Sequence, residues 1–173
     1  MSDCRTVVLK EGLIADCTLA IVTTQAHDIG YLHEFVVHAS FYSDVQTLLG
    51  QIPNAITGFI GLLKSSSEHS RISGITILRN LCFLRQIRPK LLASGVVPAL
   101  VEMLYVHSPK LKQLSVEAIW ALLHQCGRSE RQHLWVGSLE VHFKGWALAG
   151  GNKLPTGLQE AYTGVLSLFE SGL

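Results

Sequence analysis

The sequence predicts an all-α protein in which short helices stack as the repeats of a solenoid. Apolar residues recur at helical spacing through the middle of the chain, and the same pattern returns about 40 residues later. The composition agrees, because 48% of the 173 residues are hydrophobic and 16% are charged. A chain of this length and apolarity can bury a core, which argues against intrinsic disorder.

The first clear repeat follows Pro53, which we expect in the first turn of a helix. Its first apolar stripe consists of Ile56, Phe59, Ile60, Leu62 and Leu63. A polar break at residues 64–68 contains serines suited to cap the next helix. The second stripe consists of Ile72, Ile75, Leu78, Leu81 and Cys82. Pro89 then ends or restarts a helix, because the residue before a proline avoids the α region.

A constant shift along the chain, which places Ile56 on Val97, superimposes this unit on the next one. The other aligned apolar pairs include Phe59 with Leu100, Ile75 with Val116, Leu78 with Ile119 and Leu81 with Leu122. The polar break recurs at residues 107–110. Units of about 41 residues, each a pair of longer helices plus a short one, are typical of armadillo and HEAT repeats. A single unit cannot bury its apolar face, so its neighbours must stack on it. Two coincidentally similar hairpins in a bundle are the alternative.

The flanking regions fit the period less well. We expect residues 1–50 to form an N-terminal helical cap or a degenerate repeat, with helical segments between Leu13 and Leu49. Residues 51–136 contain the two armadillo-like repeats, and a short helix at 128–135 opens a third unit. Residues 137–173 contain a loop at 150–157 and a C-terminal capping helix at 158–170. The inward-facing residues predicted in these flanks are Leu32, Phe35, Val36, Ala39 and Phe41, and Ala161, Tyr162, Val165, Leu166 and Phe169.

Charge is distributed unevenly, although the formal net charge is only +1. Residues 64–131 carry ten Lys or Arg and four Asp or Glu. Residues 1–63 carry two Lys or Arg and six Asp or Glu. The basic middle favours an acidic partner surface or contact between the two segments, and solvated helix faces are the alternative. The small net charge argues against a chain that binds nucleic acid through bulk positive charge alone.

Nothing in the sequence predicts a membrane span, a secretory signal or a disulfide framework. The best apolar run, residues 13–22, is too short for a bilayer and contains Asp16. The first twelve residues lack the apolar region of a signal peptide, and the four cysteines include no CxxC pair. We therefore expect a soluble intracellular protein with free thiols.

Two groups of histidines resemble metal-binding motifs, but the spacing within each group does not fit a metal site. His33 and His38 are five residues apart, about 140° around a helix, so they cannot chelate one ion as a zinc-protease motif does. A second group is only a loose set without paired ligands, for which a core cysteine and surface histidines are the alternative: His124, Cys126, His133 and His142. No phosphate-binding loop or serine-nucleophile elbow is present. We expect a binding module, with no cofactor, and not an enzyme.

Several segments carry a resemblance to a known family. Residues 77–83 (ILRNLCF), 88–92 (RPKLL), 118–123 (AIWALL) and the final 160–170 are similar to the C-terminal armadillo-like region of the rotatin family, whose insect counterpart is anastral spindle three. The resemblance covers roughly residues 52–136 and 158–173. It implies that this chain is the C-terminal part of a much longer protein and that Met1 is an added start.

The resemblance also implies a role and a location. Rotatins are non-enzymatic scaffolds of centrioles and basal bodies, needed for centriole assembly, integrity and ciliary function. The implied location is the cytoplasm and cytoskeleton, at the centrosome, centriole and cilium basal body. The implied partners are other centriolar proteins, such as relatives of protein phosphatase 1 regulatory subunit 35.

The candidate protein-binding residues lie on the third helix of each repeat and in the turn after it. Armadillo proteins that hold extended peptides carry Trp-x-x-x-Asn on this helix. Here Asn80 matches the asparagine but Thr76 replaces the tryptophan, and the next repeat has Glu117 and Ala121. Asn80 is therefore open to a second interpretation, a hydrogen bond within or between repeats. We predict instead a basic ridge with a tryptophan anchor, built from Arg79, Arg85, Arg88, Lys90, Lys110, Lys112 and Trp120.

Each of these predictions has an alternative. Core packing between repeats is the alternative for Trp120, and solvation is the alternative for the arginines. The functional alternatives are an armadillo-type adaptor for an acidic peptide or helix outside the centriole, and nucleic-acid binding through the basic middle. Bases and aromatics are not interleaved, which counts against nucleic acid. Self-association through the apolar ends of a short solenoid is a further alternative.

Overall fold

The computed structural model of the chain describes residues 12–23, 30–135, 139–148 and 156–170, and the regular structure of these residues is helical. The chain divides between Ser94 and Gly95 into two compact units. The first contains α1 (Leu13–Thr23), α2 (Gly30–Ala39), α3 (Ser43–Gln51), α4 (Ala55–Leu62), α5 (Glu68–Cys82), a 3₁₀ turn (Arg85–Ile87) and α6 (Arg88–Ala93). The second contains α7 (Val96–Leu104), α8 (Pro109–His124), α9 (Arg128–Leu134), α10 (Glu140–Leu148) and α11 (Thr156–Glu170).

The sequence repeat is present as a repeat of helices. The shift that places Ile56 on Val97 also places the start of α4 on the start of α7, and the start of α5 on the start of α8. The polar breaks cap the longer helices, since the Ser67 side chain accepts a hydrogen bond from the Ser70 N–H (3.3 Å) and Ser108 accepts one from the Leu111 N–H (3.4 Å). The same shift places Ser67 on Ser108. The Ser67 cap therefore matches the expectation from the sequence, and the Ser108 cap repeats it in the next unit.

The first unit contains a helix pair upstream of the clear repeat. Helix α1 packs on α4, and α2 packs on α5. Ile14, Ile21 and Val36 are buried in this packing. The inward position predicted for Phe41 is wrong, because α2 ends at Ala39 and Phe41 lies in the following turn with 56% of its surface exposed. The upstream segment thus stacks on the repeat in the manner of another repeat.

Two glycines allow the helices of the first unit to approach closely. A Cβ on Gly74 would lie 2.8 Å from the Leu62 Cβ and 2.9 Å from the Phe59 carbonyl oxygen. A Cβ on Gly58 would overlap the Val22 side chain. Only glycine fits these two contacts without a shift of the neighbouring helix.

The start of the clear repeat differs from the expectation for Pro53. Helix α4 begins at Ala55, after Asn54 in the left-handed conformation (φ 61°), so Pro53 precedes the helix. Pro89 does lie in the first turn of α6, as the restart of a helix requires.

In the second unit, α8 packs on both α7 and α11. Leu100, Val116, Ile119 and Leu122 are buried, as their alignment with the first repeat predicts. Helix α9 begins at Arg128, and α10 occupies part of a stretch for which the sequence made no prediction. In α11, Tyr162 and Val165 are buried, whereas Ala161, Leu166 and Phe169 are half-buried. Most of the loop predicted at 150–157 lies outside the described residues.

Among the described helices, none combines the length and apolarity that a membrane crossing requires.

Candidate protein-binding surface

Asn80 is the centre of a buried polar network in the first unit. It is 4% exposed, and its Nδ2 donates to the Ser40 Oγ at 2.8 Å. The Ser40 hydroxyl donates to the Val37 carbonyl (2.7 Å), and the Ser40 carbonyl accepts from the Gln46 Nε2 (2.8 Å). The amide therefore joins α5 to the segment after α2, which is the second interpretation of this residue, and it presents little surface to a partner.

Arg79 lies beside this network and carries its charge to the surface. Its Nε and Nη2 donate to the Asn80 Oδ1 at 3.3 and 3.0 Å. Its guanidinium carbon lies 6.0 Å from the centre of the Phe41 ring. An arginine over the face of an aromatic ring is a weakly attractive arrangement. The network therefore holds the Arg79 guanidinium in one place next to an exposed aromatic side chain.

Phe83 extends this part of the surface. It is 49% exposed and lies one helical turn beyond Arg79, at the C-terminal end of α5. We call Arg79, Phe41 and Phe83 the Arg79 surface. Aromatic residues and arginine are enriched where proteins bind proteins, because they combine apolar area with directed hydrogen bonds.

The other basic residues predicted in the first unit have different surroundings. The Lys90 Nζ donates to the Gly50 carbonyl at 2.7 Å, near the C-terminal end of α3, where a cation is favoured by the helix dipole. Arg85 is exposed in the 3₁₀ turn, and Arg88 is half-buried at the start of α6. Lys90 therefore stabilises its own unit, and Arg85 is better placed to meet a partner.

In the second unit, Trp120 packs between helices. It is half-buried on α8, and its Cδ1 would lie 3.4 Å from a Cβ on Gly164 of α11. Its ring centre is 4.8 Å from that of His124. These contacts are those of the alternative interpretation, packing between repeats. Lys110 is exposed at the start of α8, and Lys112 is half-buried in the same turn.

The residues at the positions of the Trp-x-x-x-Asn motif do not form a row of side chains that could hold an extended peptide. The Thr76 Oγ1 donates to the Ile72 carbonyl of its own helix (2.7 Å), and Glu117 accepts from the Gln113 side chain (2.9 Å). Ala121 is 1% exposed. Together with the buried Asn80, these residues leave no repeated side-chain pattern that could bind a peptide backbone.

The first histidine pair is separated by the fold. His33 is buried, and its ring stacks on that of His69 with centres 5.9 Å apart, whereas His38 is exposed. Burial, and then the neighbouring His69, lower the pKa of His33. The two residues of the sequence motif thus have different environments.

The second group of histidines is also dispersed where the structure describes it. Cys126 is buried with its Sγ 3.2 Å from the Leu122 carbonyl, and His124 packs on Trp120. The His142 Nε2 lies 2.8 Å from the Tyr162 hydroxyl, and burial followed by Lys112 lowers the pKa of His142. Across residues 12–23, 30–135, 139–148 and 156–170, no three His, Cys, Asp or Glu side chains are arranged to hold a metal ion.

The sequence pattern does not identify Phe41 and Phe83 as surface residues. Phe41 follows an apolar stripe, so helical periodicity alone places it inside. Helix α2 ends at Ala39, so Phe41 lies beyond the helix and outside its buried stripe. The sequence signal for this helix end is weak, because Ser40 and Ser43 are separated by two aromatic residues. A contact between residues 41 and 79 cannot be read from local spacing.

Comparison of the sequence with known proteins gives a partial match. No family model matches the sequence. A stretch of 77 residues is 30% identical to the protein cellulose synthase interactive 2 of Arabidopsis thaliana, and this match covers 44% of the chain but 4% of that protein. The chain therefore corresponds to a small fraction of this relative's length.

Solved structures resemble the chain over nearly its whole length. A computationally designed armadillo repeat protein for modular peptide recognition has a TM-score of 0.82 at 14% identity, over 95% of this chain and 68% of the other. An engineered protein has a TM-score of 0.81 at 12% identity, over 97% of this chain and 66% of the other. A designed armadillo repeat protein in complex with the peptide (KR)4 has a TM-score of 0.77 at 14% identity, over 95% of this chain and 67% of the other. The prediction of an all-α, armadillo-like solenoid is confirmed.

Proposed function

We propose that this chain is a non-enzymatic protein-interaction scaffold that binds an acidic segment with an apolar anchor on the Arg79 surface. One observation carries the proposal. The Arg79 guanidinium is fixed by the buried Asn80 and lies next to the exposed Phe41 ring. A fixed cation loses little conformational freedom when it binds a carboxylate, so less of the binding free energy is spent on ordering.

The fold supports a role in binding. An armadillo-like solenoid presents extended surfaces, and it is typical of non-enzymatic binding scaffolds. The designed structural neighbour in complex with (KR)4 binds a basic peptide. The Arg79 surface of this chain is itself positively charged, so we propose an acidic partner segment.

The cellular setting is also a proposal. The similarity of residues 77–83, 88–92, 118–123 and 160–170 to the rotatin family supports a place at the centriole and basal body, in the C-terminal part of a longer protein. Its partners would be centriolar proteins, including relatives of protein phosphatase 1 regulatory subunit 35, and its role would be in centriole assembly, integrity and ciliary function. An adaptor outside the centriole would use the same surface with other partners.

Affinity capture from extracts of centriole-bearing cells tests both parts of the proposal. The chain is compared with a variant carrying Arg79→Glu and Arg85→Glu and with a control carrying Lys64→Glu and Arg128→Glu, which changes the charge equally at exposed sites outside the predicted ridge. Retained proteins are identified by mass spectrometry, and thermal unfolding checks that all three chains are folded.

We expect the chain and the control to retain centriolar proteins and the Arg79 variant to lose them. Retention of non-centriolar proteins that depends on Arg79 would support the binding surface but contradict the centriolar assignment. Equal retention by all three chains would contradict the surface.

A further inference from the structure

Helix α10 presents apolar side chains that the described part of the chain does not cover. Val141 is 73% exposed and Leu148 is 88% exposed, two turns apart on one face. Lys144 lies between them, with its Nζ bonded to the Glu140 Oε1 at 2.6 Å and most of the side chain exposed. The opposite face of α10 is held in the second unit by the fully buried Phe143. We call Val141, Lys144 and Leu148 the α10 face.

Helix α1 presents exposed apolar side chains on either side of a charge of the opposite sign, spread over about 120° of the helix at 100° per residue. Leu13 is 40% exposed and Leu19 is 54% exposed, and the exposed Asp16 lies between them. The other side of α1 is buried in the first unit through Ile14 and Ile21. We call Leu13, Asp16 and Leu19 the α1 face. It spans about 9 Å along the helix, and the α10 face spans about 10.5 Å, at 1.5 Å per residue.

We infer that the α10 face of one copy of this chain binds the α1 face of a second copy. Each face has two apolar side chains flanking one charge, the spans agree, and the charges are of opposite sign. Asp16 opposite Lys144 would fix the register, while the four apolar side chains would leave water.

The fold already uses a contact of this kind. In the first unit, α1 stacks on α4, the equivalent helix of the next pair, with Val22 against Gly58. Placing α10 of one copy against α1 of another would likewise stack a helix of one molecule on a helix of the next.

The two faces differ, so the contact is heterologous. Each pair of joined copies retains one unused α1 face and one unused α10 face. Association therefore proceeds beyond the dimer, toward longer chains of molecules or a closed ring.

Sedimentation velocity of the chain over about 10 to 300 µM tests this inference, a range suited to the weak binding of a small interface. We expect the mean mass to rise with concentration and to exceed that of a dimer. Leu148→Asp should weaken the association by about tenfold or more, because it puts a charge in the apolar contact. Since Leu148 is almost fully exposed, this variant should unfold at the same temperature as the unchanged chain.

Charge reversal supplies the matched test of pairing. Lys144→Glu alone and Asp16→Lys alone should each weaken the association, and the chain carrying both changes should regain it to within about threefold. Glu102→Lys, a reversal at an exposed residue of α7 outside both faces, should leave it unchanged.

A chain that stays monomeric over the whole range would overturn the inference, including the case in which only a different protein covers α10. So would association that is insensitive to Leu148→Asp. A mass that stops at the dimer and ignores Asp16→Lys would show that two α10 faces meet each other instead.

Discussion

At the scale of the residue, the packing of α2 on α5 and the position of the Arg79 guanidinium depend on one polar side chain inside an apolar solenoid. Asn80 is buried beside Leu81 and Cys82, and both of its amide groups are used: Nδ2 by Ser40, and Oδ1 by Arg79. Such a group costs free energy unless it is bonded, so the pair of residues 40 and 80 selects one packing of α2 on α5. The same bond sets the position of the Arg79 guanidinium.

Removing the amide should destabilise the first unit. We expect Asn80→Ala to lower the free energy of unfolding by about 1 to 3 kcal/mol, because the buried Ser40 hydroxyl loses its donor. Urea unfolding of Asn80→Ala, Ser40→Ala and the double variant gives the interaction free energy between the two side chains, which should be about 1 kcal/mol. Additive effects of the two changes would show that the hydrogen bond contributes nothing to stability.

His33 should make the stability depend on pH. Burial, and then the neighbouring His69, lower its pKa below the usual 6.5. The unfolded chain therefore takes up the proton first as the pH falls. Stability is complete above about pH 6.5 and is lost as the pH falls from there toward the pKa of the folded state.

The readout for His33 is the slope of stability against pH, not stability itself. Urea unfolding between pH 7.5 and pH 5 should show a smaller loss in His33→Gln than in the unchanged chain, with the remainder due to groups such as His142, whose pKa is also lowered. His38→Gln, an exposed histidine on the same helix, serves as the control. An unaltered slope in His33→Gln would contradict the assignment.

At the scale of the element, helix contacts depend on small residues that the sequence pattern does not flag. The apolar stripes predict which side of α4 and α5 is buried, and Phe59, Ile75, Leu78 and Leu81 are buried accordingly. The stripes contain no information about how closely two helices approach. Gly58 and Gly74 set this distance, and their role is visible only once Val22 and Leu62 lie opposite them.

Two glycines on the same helix provide a matched pair. Gly58→Ala should destabilise the first unit by about 1 to 3 kcal/mol, because its Cβ would overlap Val22 and push α1 away from α4. Gly61→Ala should raise stability by up to about 1 kcal/mol, since nothing lies within 4 Å of its Cβ position and alanine favours the helix.

Chemical denaturation of the two glycine variants measures this difference directly. Similar effects of the two substitutions would show that α1 does not pack on α4 as closely as described.

At the scale of the whole molecule, periodicity predicts the fold, whereas the proposed binding surface depends on tertiary contacts. The period of about 40 residues predicts the armadillo-like solenoid, because repeated stripes require stacked neighbours. It does not predict that Lys90 binds the distant Gly50 carbonyl, or that Trp120 packs on Gly164. The basic residues look alike in sequence, and only their neighbours distinguish Lys90, which bonds within its own unit, from Arg85, which is exposed.

Recognition of an acidic segment with an apolar anchor is the property that we propose for the Arg79 surface. Fluorescence-anisotropy titration of an acidic peptide with one central phenylalanine tests it, with a control peptide in which lysine or arginine replaces each acid. We expect the acidic peptide to bind about tenfold or more tightly than the basic one and added salt to weaken the binding. Arg79→Ala with Phe41→Ala should abolish the preference. Equal binding of both peptides, or a preference that survives in the folded double variant, would contradict it.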